Sequence, residues 1–319
     1  MHRRPESGKI KAVEQTFEKN IEKTDTLMLN SGAAAGIFWM CTATLLSTAG
    51  GACVRQLAGE IPTMELVFFR NVVGLAILVP WIMKQGFGAL RTTRLPLYCL
   101  RVFFAYSAMV MLFFALSEMP IADVYALQYT IPLFTILLAV LILKQKADAY
   151  SWVATIIGFA GVLIVMRPGV IALTLAAVCA LASACMSAGS NTTLKLLSRT
   201  EGAGIITVYS NLLMLPCAAI PMIFVWVTPT AAQWPWIFGV ALFSAVGGYC
   251  FTRAVGAADA RVVQPFQFTR MIFATAIGYA LFVELPDLWT WVGAAVIFGS
   301  TYAIAYREAK AREAKAKAA

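Results

Sequence analysis

The chain has 319 residues, of which 60% are hydrophobic and 13% charged, with a formal net charge of +9. Soluble domains carry about 25% charged residues, so composition argues against a soluble enzyme, a nucleic-acid binder and a disordered scaffold. The positive charge sits between apolar runs of about 20 residues, which is the pattern of a multi-span membrane protein.

Residues 1–32 form a polar leader that mixes Glu14, Glu18 and Glu22 with lysines. It lacks the early apolar stretch of a signal peptide. Ile10, Val13, Phe17 and Ile21 recur at helical spacing, so an amphipathic helix on the membrane surface and a frayed polar tail are the two readings. Ten apolar spans follow, over 33–57, 64–83, 96–117, 121–143, 149–166, 170–194, 204–227, 234–252, 261–283 and 288–306. Residues 307–319 are a basic tail rich in Ala, Lys, Arg and Glu, expected as a solvated helical extension. Links such as Glu118-Met119-Pro120 leave no room for a soluble domain and make successive helices antiparallel neighbours.

Basic residues test the count. With both termini cytoplasmic, 20 of the 25 Lys and Arg residues fall on the inner side. The remaining five are Arg55 and Arg167 at the outer edge and Arg70, Arg101 and Arg270 within spans. This distribution predicts an inner-membrane protein with cytoplasmic termini.

Cysteine and histidine narrow the chemistry. The seven cysteines all lie in or beside apolar runs, without a CxxC pair. They are expected as buried small hydrophobes and not as disulfides or zinc ligands. The one histidine is His2 in the leader, and no DDxxD motif occurs. No enzyme chemistry, metal or cofactor is expected. The expected partners are a small-molecule substrate and membrane lipid, with no nucleic acid; a homodimer is compatible with the sequence.

The chain also matches itself. At a shift of 140 residues, Leu46-Ser47 answers Met186-Ser187, Arg55 answers Lys195, and Phe69-Arg70-Asn71 answers Tyr209-Ser210-Asn211. At 138, Tyr129 answers Gln267, Gly161 answers Gly299, and Lys146 answers Glu284. The fold predicted is therefore an all-α integral membrane protein: ten transmembrane helices as two five-helix repeats, 33–166 and 170–306. Five is odd, so the repeats are inverted, and the substrate site of such carriers lies between them near the midplane. Ser47 with Gly51, and Ser183 with Ser187, are small pairs four apart that permit close helix packing.

Charge inside a bilayer costs at least about 2.5–3.5 kcal/mol at the centre, and so marks candidate sites. Arg270 lies deep in the ninth span, preceded at spacings of three by Gln267 and Gln264. That face is expected to line a polar cavity in which Arg270 meets an anionic group; a fixed internal ion pair is the competing role. Arg70 is a second candidate cation, with Glu65 nearby as a proton site. Asp123 either titrates or caps the fourth span, and Arg101 is expected to snorkel to headgroups. Tyr125, Gln128 and Tyr129 form a polar stripe on that span, with Pro132 permitting a kink, as Pro265 does in the ninth. Asn191 and Tyr209 complete the candidate substrate-binding set.

Three stretches carry a family resemblance. Phe282-Val-Glu-Leu-Pro-Asp-Leu-Trp-Thr-Trp-Val-Gly-Ala-Ala-Val-Ile-Phe-Gly299, Phe68-Phe69-Arg70 and Tyr129-Thr-Ile-Pro132 resemble the signatures of ten-helix drug/metabolite transporters of the EamA type. Lys146 departs from that pattern, standing where a glutamate is usual. The resemblance implies alternating access, a central cavity between the repeats and no ATP hydrolysis. It also implies a varied range of small metabolites as cargo, including riboflavin and S-adenosylmethionine in some relatives.

Overall fold

The computed structural model describes residues 33–85, 92, 94–141, 149–167, 174–198, 200–201, 203–257 and 263–318. The leader reading and Lys146 lie outside the described residues. In lipid only helices or closed barrels satisfy every backbone polar group, and the chain takes the first solution. The helices are α1 (Ala33–Gln56), α2 (Thr63–Gln85), α3 (Leu95–Glu118), α4 (Ile121–Gln128), α5 (Ile131–Leu141), α6 (Ala149–Met166), α7 (Leu175–Leu197), α8 (Ala203–Val225), α9 (Trp234–Ala257), α10 (Thr269–Phe282) and α11 (Leu288–Ala318). Helices α4 and α5 are two halves of one span, and a 3₁₀ segment, Gln264–Phe268, begins the span that α10 completes. Among the described residues six helices are long and apolar enough to cross a membrane on length and composition alone.

Local chemistry sets the ends. Pro96 opens α3 and Pro120 precedes α4, where a missing N–H is harmless. Thr174 caps α7 by accepting from Ala177 N at 3.2 Å. That cap starts the helix at Leu175, later than the apolar pattern suggests. The Ala- and Lys-rich tail continues α11 to Ala318, as its strong helix formers favour.

Contacts pair the two halves by a pseudo-two-fold rule. Helix α3 packs on α7 as α9 packs on α1, where Gly239 faces Cys53 and Gly247 faces Leu46. Helices α4 and α5 pack on α7 as α10 meets α1 through the Thr44 and Thr269 hydroxyls, 2.9 Å apart. Helix α2 contacts α9 as α8 contacts α3, while α2–α8, α4–α10 and α6–α11 are each self-paired. Inverted, interleaved repeats produce this pattern.

Glycine allows the closest of these crossings. A Cβ on Gly293 of α11 would lie 2.5 Å from Val165 Cγ2 and 2.8 Å from the Gly161 carbonyl of α6. Gly299, on the same helix, has nothing within 4 Å of an added Cβ. Gly293→Val is therefore expected to lower stability by about 1–3 kcal/mol through overpacking. Gly299→Ala is expected to be neutral or slightly stabilising. Thermal unfolding of the two variants in one detergent checks both.

The ion pairs Arg55–Glu284 and Arg167–Asp287 sit at the end of the bundle away from the termini. Arg55 at the foot of α1 donates to Glu284 Oε1 through Nη2 at 2.8 Å and Nε at 3.2 Å, and to the Ser117 carbonyl at the end of α3. Arg167, after α6, pairs with Asp287. Val283 in the left-handed region (φ 57°) turns the chain back, with Glu284 N bonding the Gly278 carbonyl at 3.1 Å.

Burial pushes the Asp287 carboxyl up, but the Thr290 N–H and hydroxyl together with Arg167 outweigh it, and the net shift is down. A carboxyl lowered on folding stabilises the protein fully above its unfolded pKa and loses that contribution as pH falls through the folded value. The wild type is expected to lose stability below about pH 4 in a component that Asp287→Asn lacks, measured as the difference between their melting points across pH.

Candidate functional site

A cavity of about 500 Å³ lies between the repeats, lined from α1, α2, α3, α4, α7, α9, the 3₁₀ segment and α10. Five of the sequence candidates meet there: Arg270, Gln267, Tyr125, Arg70 and Asn191. Ser47, Gly51 and Ser187 of the two small pairs also line it. Among the described residues no carboxylate does.

Tyr125 is the floor on which Arg270 rests. The Arg270 guanidinium carbon is 5.2 Å from the Tyr125 ring centroid, a cation–π contact. The tyrosine hydroxyl donates to the Ser47 carbonyl at 2.9 Å, fixing the ring. Gly51 makes room for it, since a Cβ there would stand 2.5 Å from the hydroxyl oxygen. Arg270 Nε is buried without a hydrogen-bond partner among the described residues. Arg70 donates to Met109 Sδ at 3.2 Å, a weak acceptor. Neither arginine has an acidic partner within 4 Å among the described residues. The fixed internal ion pair considered for Arg270 is thus not formed there. Two guanidiniums with unused donors beside an aromatic face suit a ring and an anionic group.

The other candidates are placed elsewhere. Gln128 donates to the Ala180 carbonyl at 3.1 Å and Ser183 Oγ at 3.2 Å, and joins α4 to α7. Tyr129 donates to the backbone of the 3₁₀ segment. Tyr209 stacks on Tyr98 at 5.0 Å, near the other end of α8 from Pro216 and Pro221. Glu65 is fully buried and accepts from Val227 N at 3.1 Å, so it holds the α8–α9 connection. Asp123 lines a second cavity of about 350 Å³ with Arg167, Asp287 and Thr290. The backbone of Gln264 belongs to the 3₁₀ segment; its side chain lies outside the described residues. Arg101 does not snorkel. It turns inward and donates to Ser210 Oγ at 2.9 Å and the Ser190 carbonyl at 3.2 Å, because serines on α7 and α8 leave it space and acceptors.

Further lining residues do not follow from the sequence reading, Met109, Phe113, Ser244 and Phe251 among them. The Gly247-Gly248 pair beside Ser244 was the available signal, since small residues in an apolar span mark close approach. Among the described residues no group of three His, Cys, Asp or Glu side chains suits a metal.

The lining has a direction. Tyr125, Phe113 and Leu116, toward the ion-paired end, are buried at 5%, 7% and 1% exposure. Asn191, Gly248 and Phe251, toward the termini, are exposed. The lining is buried on the side of Arg55 and Glu284 and more exposed on the other.

Residues 34–167 and 174–306 each match the EamA-like transporter family. The chain belongs to that family. Its curated EamA relatives include a riboflavin transporter of Brucella anthropi, 30% identical over 76% of this chain and 87% of the relative. An S-adenosylmethionine uptake transporter of Rickettsia bellii is 26% identical over 88% of this chain and 96% of the relative. A pseudopaline exporter of Pseudomonas aeruginosa is 26% identical, covering 85% and 94%. A solved structure superposes with a TM-score of 0.58 at 17% identity, covering 84% of this chain and 95% of that one, and shares the fold. This EamA chain is a small-molecule membrane transporter whose two family matches coincide with the two interleaved halves.

Proposed function

We propose that the protein carries a small organic anion bearing a flat ring across the inner membrane by alternating access, without chemical conversion and with both termini cytoplasmic. The observation that carries this reading is the pairing of Arg270 and Arg70 in one cavity that no carboxylate of the described residues lines. A buried cation with no internal counter-charge is stabilised most by an anion that enters. Arginine offers a planar fork to carboxylate or phosphate. The Tyr125 ring supports the guanidinium at the same place, and Phe113 and Phe251 add aromatic surface to the lining. The volume falls within the range of about 300–1,000 Å³ usual for metabolite sites. A sulfonium cargo would find no acidic partner among the lining residues, which sets the S-adenosylmethionine-type reading below an anionic or flavin-type one.

The test is a charge-ordered panel. Purified protein is heated with riboflavin, riboflavin 5′-phosphate, S-adenosylmethionine, dicarboxylates and amino acids. A ligand at 100 times its Kd adds about 2.7 kcal/mol to apparent stability. The expected order is riboflavin 5′-phosphate above riboflavin, with S-adenosylmethionine giving no shift. Stabilisation by the cationic compound alone would reverse the assignment.

A further inference from the structure

Tyr129 stands where two interrupted helices meet, and it does not line the cavity. Its hydroxyl donates to the carbonyls of Gln267 at 3.2 Å and Phe268 at 3.4 Å. Its ring stacks on Phe268 at 5.7 Å and meets Phe298 edge-on at 5.8 Å. Its own carbonyl accepts from Thr301 Oγ1 at 3.2 Å. The residue is tied on three sides and only 8% exposed.

Both interruptions have the same form. On the α4 side, Tyr129 N bonds Ala126 O at 3.3 Å and Thr130 N bonds Leu127 O at 3.1 Å, each spanning three residues. On the α10 side, Gln264–Phe268 is a 3₁₀ segment. The internal match at 138 residues sets one segment opposite the other.

The two carbonyls that Tyr129 holds lie where the 3₁₀ segment passes into α10. There the hydrogen-bond spacing changes from three residues to four, and the Tyr129 hydroxyl adds a bond to the backbone from outside the helix. Gln267 lies before the junction and Arg270 after it. In 3₁₀ geometry side chains three apart eclipse, whereas in an α-helix they diverge by about 60°. With a 3₁₀ step between them, Gln267 and Arg270 stand closer to alignment than in a continuous α-helix.

We propose that Tyr129 is a positioning residue: its hydroxyl holds the segment in 3₁₀ form and thereby aims Gln267 and Arg270 together into the cavity. This rests on the reading in which those two residues receive the cargo. Tyr129 itself touches no cargo.

Tyr129→Phe keeps the ring stack and removes the hydroxyl. Hydrogen exchange in the ligand-free protein comes first, because it needs no substrate. Peptides covering 264–272 are expected to exchange about fivefold faster, the equivalent of one ordinary hydrogen bond, while the rest of the bundle is unchanged. Transport of riboflavin 5′-phosphate is then expected to show about a fivefold rise in KM with maximal rate unchanged. That penalty is expected to vanish in a Gln267→Ala background, since coupled residues are non-additive.

Unchanged exchange over 264–272 would overturn the proposal. So would faster exchange throughout with a lower melting point, which marks an ordinary core bond. A full-size KM penalty persisting with Gln267→Ala would overturn it as well. If the wild type neither binds nor moves riboflavin 5′-phosphate, the cargo reading fails, while the exchange result still decides the role of Tyr129.

Discussion

Arg270→Ala is expected to fold normally and to lose most of its affinity for the anionic cargo. Each hydrogen bond to a charged group contributes about 1.5–3 kcal/mol, and 1.4 kcal/mol is tenfold in affinity. The loss is therefore roughly 10- to 150-fold in Kd for one such bond, and more if the contact is bidentate. The ligand-free variant is expected to melt at or above the wild-type temperature. It no longer holds a guanidinium that rests on a tyrosine face with no acid within 4 Å among the described residues. Arg270→Lys is expected to fall between the two, because an ammonium keeps the charge but lacks the planar fork and stacks less well. Equilibrium binding with riboflavin 5′-phosphate, read beside the melting points, measures this. Unaltered anion affinity in Arg270→Ala would remove Arg270 from the site.

The second large effect concerns the closed end. Glu284→Arg sets two guanidiniums against each other where Arg55 and Glu284 now pair at 2.8 Å. Both side chains are mostly shielded, at 21% and 17% exposure, so screening by water is limited. Losing one partner of such a pair costs about 1–3 kcal/mol, which shifts a two-state equilibrium roughly 5- to 150-fold. The variant is expected to spend more time open at that end. A single cysteine replacing Ser47 in an otherwise cysteine-free chain would then react faster with an impermeant thiol reagent from the side of residue 284. The double exchange Arg55→Glu with Glu284→Arg is expected to recover much of the closure. Unchanged labelling in Glu284→Arg would mean that other contacts close this end.

Much of the fold was legible because lipid leaves the backbone so few options. Apolar run length gave ten spans, and basic residues gave a consistent alternation. The interleaving of the halves was implied by matches as sparse as Asn71 with Asn211. The side-chain site was only half legible. Arg270 with Gln267 stood out because charge and amide in an apolar run are costly. Gln128 turns to the Ala180 carbonyl and Ser183, partners distant in sequence, and Tyr129 opens the interruption at 129–130, which helical periodicity does not reveal. Arg55 and Arg167 looked like edge residues because their partners, Glu284 and Asp287, lie far away in sequence. Sequence matching paired Gly161 with Gly299, yet the close crossing uses Gly161 and Gly293. Shared ancestry of a position and contact at that position are different things.

The placement of the Arg55–Glu284 pair at one end has a kinetic meaning. In the internal match, Arg55 corresponds to Lys195 and Glu284 to Lys146, two like charges, so this pair has no opposite-charge counterpart at the other end. The two resting forms then differ in population. A bias of about 1.4 kcal/mol leaves roughly one molecule in ten receptive on the ion-paired side, and half-saturation from that side rises tenfold. A carrier built this way is a rectifier of rate and not of equilibrium. It fills quickly from one face and slowly from the other. Uncoupled to any second gradient, it still comes to rest when the cargo's electrochemical potential is the same on both sides.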